Sequence, residues 1–523
     1  MKKKYIVVMD VPGIKKYVFG TDRLVEIRGA SALLTELNEN GVPTLLKETL
    51  DEAHFDLVFS GGGAGQFIIE AELSTLESAM KAVQSMFNRE SKGGLKVLFG
   101  ISEYDEDNYA KSLDRAFIRL KKMKDENPLI PCTLLHTGFI RECDSCAGMG
   151  SQYSQYADEM KLLCDVCATK VEWGKKKGLW KHFSDFLRTK DVDLERFERP
   201  KTFEEIGECS RGRKGYTALI YADGNAMGKL IKQIKNKSDF HFFSQVVDDA
   251  ITQACHEALY ENCPPVKGVV PANILLLGGD DLLVYMSADH ALEFAIEVSR
   301  KFTKKTQIRF SENPFFNDIL KGNGLTVSLG IAYAKTHSPF SHIFSQAEEL
   351  LTSAKQAGAK DPASQGFFSP SYIDFHITPQ FNHLKVGHSR NNFLQKNGKN
   401  LKLYQKPYAL KDAQCLLAHA RRLLYANIPR TRLRRLGYTP FEDKMNGTLD
   451  FLKLYTRSQI GEQRSAIRNA MEDFGCVPNM PWKEPSGSTT DDRWTTTMIA
   501  DLMEIAQFCN ISTTDREGWD HVS

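Results

Sequence analysis

The sequence runs through the same order of elements twice, and this repetition limits the fold more than any other feature of it. Near the start YIVVMD ends in Asp10, and at mid-chain ALIYAD ends in Asp223. Each is followed by a helix-bearing stretch and then by two apolar runs joined at a glycine-rich corner, DLVFSGGGAGQFIIE in the first copy and ILLLGGDDLLVYM in the second. Gly62 follows Asp10, and Gly278 follows Asp223, at nearly the same interval. A helix, then LKVLFGIS or LTVSLGIA, then another helix complete each copy. Leu73, Leu76, Met80, Val83 and Phe87 recur at helical spacing, as do Leu292, Ala295, Val298 and Phe302. Short apolar runs at 5–9, 55–59, 67–69 and 96–101, and again at 217–221, 273–277, 282–285 and 325–332, read as strands. The order β-α-β-β-α-β, given twice with matched spacing, predicts two related ferredoxin-like domains in an α+β fold.

The copies differ at the corner. The first reads Ser60-Gly61-Gly62-Gly63 and carries no acid; the second reads Gly278-Gly279-Asp280-Asp281. In this fold the end of the first strand lies beside the hairpin corner, so Asp223 is expected next to Asp280 and Asp281. Three crowded carboxylates repel one another and raise each other's pKa. They become favourable around Mg²⁺ or Mn²⁺, hard ions that take oxygen ligands, and two such ions serve phosphoryl transfer. A bare Gly-Gly-Asp-Asp is also a common solvated turn; Asp223 at the paired strand end is what favours chemistry here. The segment YADGNAMGKL adds Gly224, Asn225, Gly228 and Lys229, with helix-start N–H groups that could hold phosphate. Lys355 and Lys360 follow on a helix returning towards the site, where a lysine could neutralise a triphosphate or simply be solvated.

Cys143-x2-Cys146 and Cys164-x2-Cys167 have the spacing of a closed, structural zinc site. The chain has 11 cysteines, an odd number, and Cys132, Cys209, Cys255, Cys263, Cys415, Cys476 and Cys509 show no such pairing. That usage fits a reducing compartment. No apolar run reaches ~18 residues, so no membrane span is expected. The opening MKKKYIVVMDVPG reads as a strand, not a signal peptide. With 523 residues, ~3 to 4 domains are expected. The net charge of +2 gives no sign of nucleic-acid binding by itself. Beyond residue 370 comes the polar, loop-like HSRNNFLQKNGKNLKLYQKP, then helical patterns in AQCLLAHARRLLY, GTLDFLKLYTRSQ and TTTMIADLMEIAQF, with a loop in PNMPWKEPSGSTTDDR. Arg421, Arg422, Arg430, Arg432, Arg434 and Arg435 form a basic cluster that either meets RNA phosphates or a neighbouring subunit, or is a solvated helix face.

Taken together, GIKKYVFGTDRLVEIRGASALL with SGGGAGQF, the four-cysteine insert, and DGNAMGK with GGDD resemble the large polymerase/cyclase subunit of type III CRISPR effector complexes over most of the chain. The resemblance implies palm domains at 1–130 and 215–370, a zinc-binding insert at 131–214 and a C-terminal helical domain at 371–523. It implies synthesis of 3′–5′ cyclic oligoadenylate from ATP, with Asp223, Asp280 and Asp281 as catalytic metal ligands. Gly224, Asn225, Gly228, Lys229, Gly278, Gly279, Lys355, Lys360 and Ser60 to Gly63 would lie around two ATP molecules. It further implies a cytoplasmic chain whose partners are guide-RNA complex subunits and target RNA. Many members begin with an HD nuclease domain; here the first strand starts at Tyr5 and no His-Asp dipeptide occurs, so DNA cleavage by that route is not expected. The chain is also short for an effector subunit, which keeps open a stand-alone polymerase making a small cyclic nucleotide, or a scaffold without chemistry. Diguanylate cyclases resemble it too, but their corner usually reads GG-acid-Glu-Phe, where Asp281 and Leu282 stand here.

Overall fold

The computed structural model describes residues 2–50, 55–126, 141–156, 159–176, 178–378, 385–396, 400–458, 461–477, 480–485 and 494–509. The first palm is built from β1 (Lys3–Asp10), β2 (Phe55–Gly61), β3 (Ala64–Ala71) and β4 (Leu98–Glu103), with helices α1 (Ile14–Phe19), α2 (Leu24–Glu36), α3 (Val42–Thr49), α4 (Leu73–Glu90) and α5 (Tyr109–Glu126). Its strand order β2-β3-β1-β4, antiparallel throughout, is the ferredoxin-like arrangement expected from the repeat. Alternation along β1 decides which helix covers which face. Tyr5, Val7 and Met9 face the core shared with α2 and α4, while Ile6 and Val8 pack on α5.

The insert follows, with β5 (Gln152–Tyr156) and β6 (Glu159–Leu163) as a hairpin and α6 (Asp165–Lys175), α7 (Leu179–Arg188) and α8 (Phe203–Glu208) leading to the second palm. Part of the predicted insert, including Cys132, lies outside the described residues. Helix α6 lies directly on α2. A Cβ on Gly29 would meet the backbone oxygen of Lys170 and would stand 2.6 Å from the nitrogen of Gly174. The RGAS segment is therefore a backbone-to-backbone seam between the first palm and the insert. Buried Glu26 on the same helix accepts a hydrogen bond from Ser145 Oγ at 2.5 Å, and buried Lys170 donates to the carbonyl of Tyr17 at 2.5 Å.

The second palm repeats the order with β7 (Tyr216–Gly224), α9 (Met227–Ile231), α10 (Lys237–Asn262), β8 (Ala272–Gly278), β9 (Asp281–Ser287), α11 (Ala291–Ser311), α12 (Pro314–Leu320), β10 (Val327–Lys335) and α13 (Phe340–Lys360). Its sheet does not stop at residue 370: β11 (Tyr372–Thr378) pairs parallel with β10 and is joined in turn by Tyr408–Ala409. The alternation Ile373, Phe375, Ile377 points apolar side chains to the main core, and buried Asp374 is held by Arg390 through two hydrogen bonds at 2.9 and 2.7 Å. The stretch expected as loop around Arg390 instead forms α14 (Val386–Ser389), a π turn over Arg390–Leu394 and short strands at Gln395–Lys396 and Leu401–Lys402. The C-terminal helices are α15 (Leu410–Tyr425), α16 (Arg430–Tyr438), α17 (Lys444–Thr456), α18 (Glu462–Asp473) and α19 (Ile499–Ala506). Within the loop expected between the last two, residues 478–479 and 486–493 lie outside the described residues, whereas Trp482 is fully buried. Among the described residues, no helix is long and apolar enough to cross a membrane.

The two palms share one core. Leu219, Tyr221, Leu283 and Tyr285 of the second pack with Phe340 and Phe344 of α13 and with Val7, Met9 and Phe19 of the first. That shared core fixes the two glycine corners opposite each other: the backbone nitrogen of Gly62 lies 3.9 Å from where a Cβ on Gly278 would stand.

Candidate active site at the facing palm corners

Strand β7 delivers Asp223 one residue before its end. Its alternation puts Leu219 and Tyr221 on the face covered by α13, and Ala218, Ile220 and Ala222 on the face covered by α10 and α11. Antiparallel pairing sets Tyr221 against Leu283 and Ala222 against Leu282, so the next step of this register brings Asp223 level with Asp281. Asp280 occupies the turn. Its Oδ2 lies 2.8 Å from where a Cβ on Gly224 would stand, and its carboxylate accepts a hydrogen bond from the Gly224 N–H. Glycine at 224 is what admits that carboxylate to the strand end.

The charges are arranged unusually. Burial raises the Asp280 carboxyl, against the pull of the backbone hydrogen bonds. Burial first, and then the neighbouring Asp280 charge, push Asp281 up to about 6, opposed by Lys15 and by the Tyr221 hydroxyl, which donates to it. Lys355 of α13 forms an ion pair with Asp223 and donates to the carbonyl of Gly224 at 3.0 Å. Burial lowers its ammonium to about 8. The first palm carries the same device: Asp10 at the end of β1 pairs with Lys124 of α5 at 2.8 Å. Lys15, from the GIKKYVFG segment of the first palm, crosses to the second, where it pairs with Glu348 with its ammonium 5.4 Å from the centre of the Tyr221 ring.

Several expected site residues are differently employed. Among the described residues, the three aspartates are not one of the groups whose ligand atoms all lie within 4.8 Å of one another, and Asp223 is paired with Lys355. Asn225 is buried and its amide is already committed: Nδ2 donates to Thr326 Oγ1 and Oδ1 accepts from Ser328 Oγ, both at 2.9 Å. It braces the strand end. Gly228 and Lys229 are exposed on a helix of only five residues, too short for a strong N-terminal dipole. Lys360 is exposed and lies five positions beyond Lys355, about 140° round the helix, so it cannot share the Lys355 face. Ser60 donates to the carbonyl of Asn38 at 2.7 Å, and Gly61 and Gly62 line the space between the palms with Gly278. A Cβ on Gly63 would strike Ile14. Gly279 donates its N–H to Asp248 of α10 at 2.8 Å. Asp248 carried no motif, and Tyr221 and Lys15 lay inside quoted motifs without being singled out; the tertiary fold brings all three here.

The donor set still fits a divalent ion: two half-buried carboxyls with raised pKa beside a third at the adjacent strand end are acceptor oxygens short of positive charge. The four insert cysteines fit zinc more directly. Their sulfurs all lie within 4.8 Å of one another, with Cys146 and Cys164 at 3.7 Å, the separation expected for tetrahedral thiolates around one ion. Cys415, read as unpaired, also gathers with His419 and Asp473, where His419 Nε2 and Asp473 Oδ2 share a hydrogen bond of 2.7 Å.

The comparisons agree with this architecture. Residues 216–364 match the family Cas10/Cmr2, second palm domain. Over that segment the chain is similar to Cas10. A Csm1–Csm4 cassette in complex with cA3 aligns with it at a TM-score of 0.56 and 14% identity, over 97% of this chain and 70% of that one. The same cassette in complex with one ATP aligns at 0.55, and in complex with pppApA at 0.54, both at 14% identity and with the same coverage. At that identity the likeness is one of fold. No curated protein matches the chain.

Around its basic cluster, Arg421 pairs with Glu293 of α11 at 2.6 Å and Arg432 reaches Gln463 at 3.4 Å. Those two are therefore structural, while Arg422, Arg430, Arg434 and Arg435 remain exposed.

Proposed function

We propose that this chain is a nucleotidyltransferase that converts ATP into 3′–5′ cyclic oligoadenylate and pyrophosphate, acting in the cytoplasm as the large subunit of a type III CRISPR effector. The observation that carries the reading is the asymmetry of the facing corners: the second-palm turn adds Asp280 and Asp281 beside the strand-end Asp223, whereas the first-palm turn adds no acid to its strand-end Asp10. The first-palm corner then holds a nucleotide without metal, and the second holds the reacting triphosphate. Asp223, Asp280 and Asp281 would hold Mg²⁺ or Mn²⁺, which when bound activates the attacking oxygen and neutralises the leaving group. The 3′-oxygen of one ATP bonds to the α-phosphorus of the other, the bond from that phosphorus to the β-bridging oxygen breaks, and pyrophosphate leaves with that electron pair. The hydroxyl proton passes to solvent water at the open corner. Lys355 must leave Asp223 for this geometry to form, and the nearest new partner for its ammonium is a phosphate oxygen. Likeness to cassettes that pair Csm1 with Csm4 supports an effector partner, and the exposed arginines Arg422, Arg430, Arg434 and Arg435 are candidate contacts for RNA or a subunit.

The test is radiolabelled ATP with Mn²⁺, with and without guide and target RNA. Pyrophosphate and a phosphatase-resistant product are expected, and Asp280→Ala with Asp281→Ala should lower the rate by about 10³-fold or more. A second reading, a nucleotide-binding scaffold, draws on the Lys355 cation already seated on Asp223. It requires that the double variant lose nothing.

A further inference from the structure

Helix α15 carries Cys415 and His419 one turn apart, so both side chains leave the same face of the helix. The neighbouring α18 ends at Asp473, and Asp473 Oδ2 meets both of them. It lies 2.7 Å from His419 Nε2 and 3.9 Å from Cys415 Sγ. All three ligand atoms lie within 4.8 Å of one another. A thiol, an imidazole and a carboxylate thus converge from two helices of the C-terminal domain, away from the palm corners.

Residues four apart are how a helix offers two ligands to one metal ion. Around a single tetrahedral zinc the nitrogen–oxygen separation is about 3.3 Å and the sulfur–oxygen separation about 3.5 Å. The distances found fall on either side of these, so shifts of about half an ångström admit the ion. The His419 ring is buried and lies against Phe474, 6.2 Å centre to centre, which fixes its direction. Cys415 is half-buried and Asp473 exposed, which leaves a way in from solvent. Asp473 also occupies the last position of a 12-residue helix, where the peptide dipoles disfavour a carboxylate and favour a cation.

We propose that Cys415, His419 and Asp473 form a further transition-metal site, which takes Zn²⁺ through Sγ, Nε2 and Oδ2 with water at the fourth position. Thiolate and imidazole select zinc over the hard ions that suit the aspartate corner. The ion replaces the proton between Nε2 and Oδ2, which moves to Nδ1, and the thiol proton of Cys415, which goes to solvent. His419 Nδ1 is buried without a partner among the described residues. A ligating imidazole usually donates that N–H to an acceptor, and lacking one costs about 10–100-fold in affinity. The zinc is therefore exchangeable, held more weakly than an ion at the four insert cysteines. Bound, it clamps α18 to α15, which is itself tied to the second palm by Arg421 on Glu293.

The experiment is a Co²⁺ titration of the untagged full chain, read by the thiolate-to-metal absorption in the near ultraviolet, for the wild type, Cys415→Ala and Asp473→Asn. Taking differences between proteins cancels any ion at the insert cysteines or the aspartate corner. Wild type should take up one more equivalent than Cys415→Ala, with a difference band that added Zn²⁺ abolishes. Asp473→Asn should bind that equivalent about tenfold more weakly or worse. Zn²⁺ should raise the urea midpoint of the wild type more than that of Cys415→Ala, a comparison that also shows the variant to be folded. Equal Co²⁺ uptake by wild type and Cys415→Ala, with no difference band, overturns the site and leaves His419 and Asp473 as a hydrogen-bonded pair. Unchanged affinity in Asp473→Asn overturns the three-ligand set.

Discussion

The ammonium of Lys355 rests on the carboxylate of Asp223, at the strand end that the sequence assigns to a metal. The matching pair in the other palm, Lys124 on Asp10, shows that the lysine belongs to the scaffold that both copies share. In the first palm the pair has no acids beside it. In the second it stands next to Asp280 and Asp281, so the cation competes with any divalent ion for the same oxygen. Lys355→Gln removes the competitor. Mn²⁺ affinity in the absence of nucleotide should rise about tenfold, as expected for removing one unit of positive charge at contact distance in a partly screened site. Titration followed by electron paramagnetic resonance reads the free ion directly. Unchanged or weaker Mn²⁺ binding would show that Lys355 does not guard the site.

The seam between α2 and α6 allows a second expectation. At Gly29 an added methyl meets backbone atoms on the opposite helix, which cannot swing aside as a side chain would. Gly29→Ala should cost about 3 kcal/mol, the upper end for overpacking, read as a lowered urea midpoint. Gly228→Ala is the control: a Cβ there meets nothing within 4 Å, and exchanging glycine for alanine in a helix should be neutral or stabilise by up to about 1 kcal/mol.

Much of the fold was legible because its signals are periodic. Each apolar run alternates at period two or recurs near 3.6, and the duplicated order left one strand arrangement for both copies. The four-cysteine cluster was legible because its spacing is local. What the sequence did not disclose depends on long-range contact. YIDFHIT does alternate, with Ile373, Phe375 and Ile377 against Asp374 and His376, but nothing local says that this strand adds parallel to β10 or that Arg390 satisfies its buried Asp374. Asn225 looked like a ligand residue because it adjoins Asp223, yet Thr326 and Ser328 on the neighbouring strand consume its amide.

The Asp374–Arg390 pair gives a third expectation. Both groups are buried, and Arg390 also donates to the carbonyl of Phe375 at 2.9 Å. Asp374→Ala strands a buried guanidinium and should cost about 3–5 kcal/mol. Replacing both, as Asp374→Leu with Arg390→Met, should recover most of that loss, since the pair's desolvation offsets most of its attraction. Urea denaturation of the single and double variants checks this. A double variant as unstable as the single one would mean that the guanidinium's contacts beyond Asp374 dominate.

His256 on α10 supplies a pH dependence. Its ring lies 5.5 Å from Phe183 and 5.6 Å from Phe186, centre to centre, and its Nε2 is buried without a partner. Burial first, and His182 second, lower its pKa from 6.5 to about 4. Between those values the unfolded chain binds a proton that the folded chain refuses, so acid draws the equilibrium towards unfolding. The contribution is intact above pH 6.5 and is lost as pH falls towards 4. At pH 5.0 the loss should be about 2 kcal/mol, at ~1.4 kcal/mol per pH unit below the unfolded value. Other groups titrate in the same range, notably Asp281, whose raised carboxyl acts in the opposite sense, so the quantity to measure is the difference between wild type and His256→Phe. That difference, from urea denaturation at pH 7.5 and 5.0, should move by about 2 kcal/mol in favour of the variant on acidification. A difference independent of pH would mean that the imidazole reaches water or a hydrogen-bond partner in the folded protein.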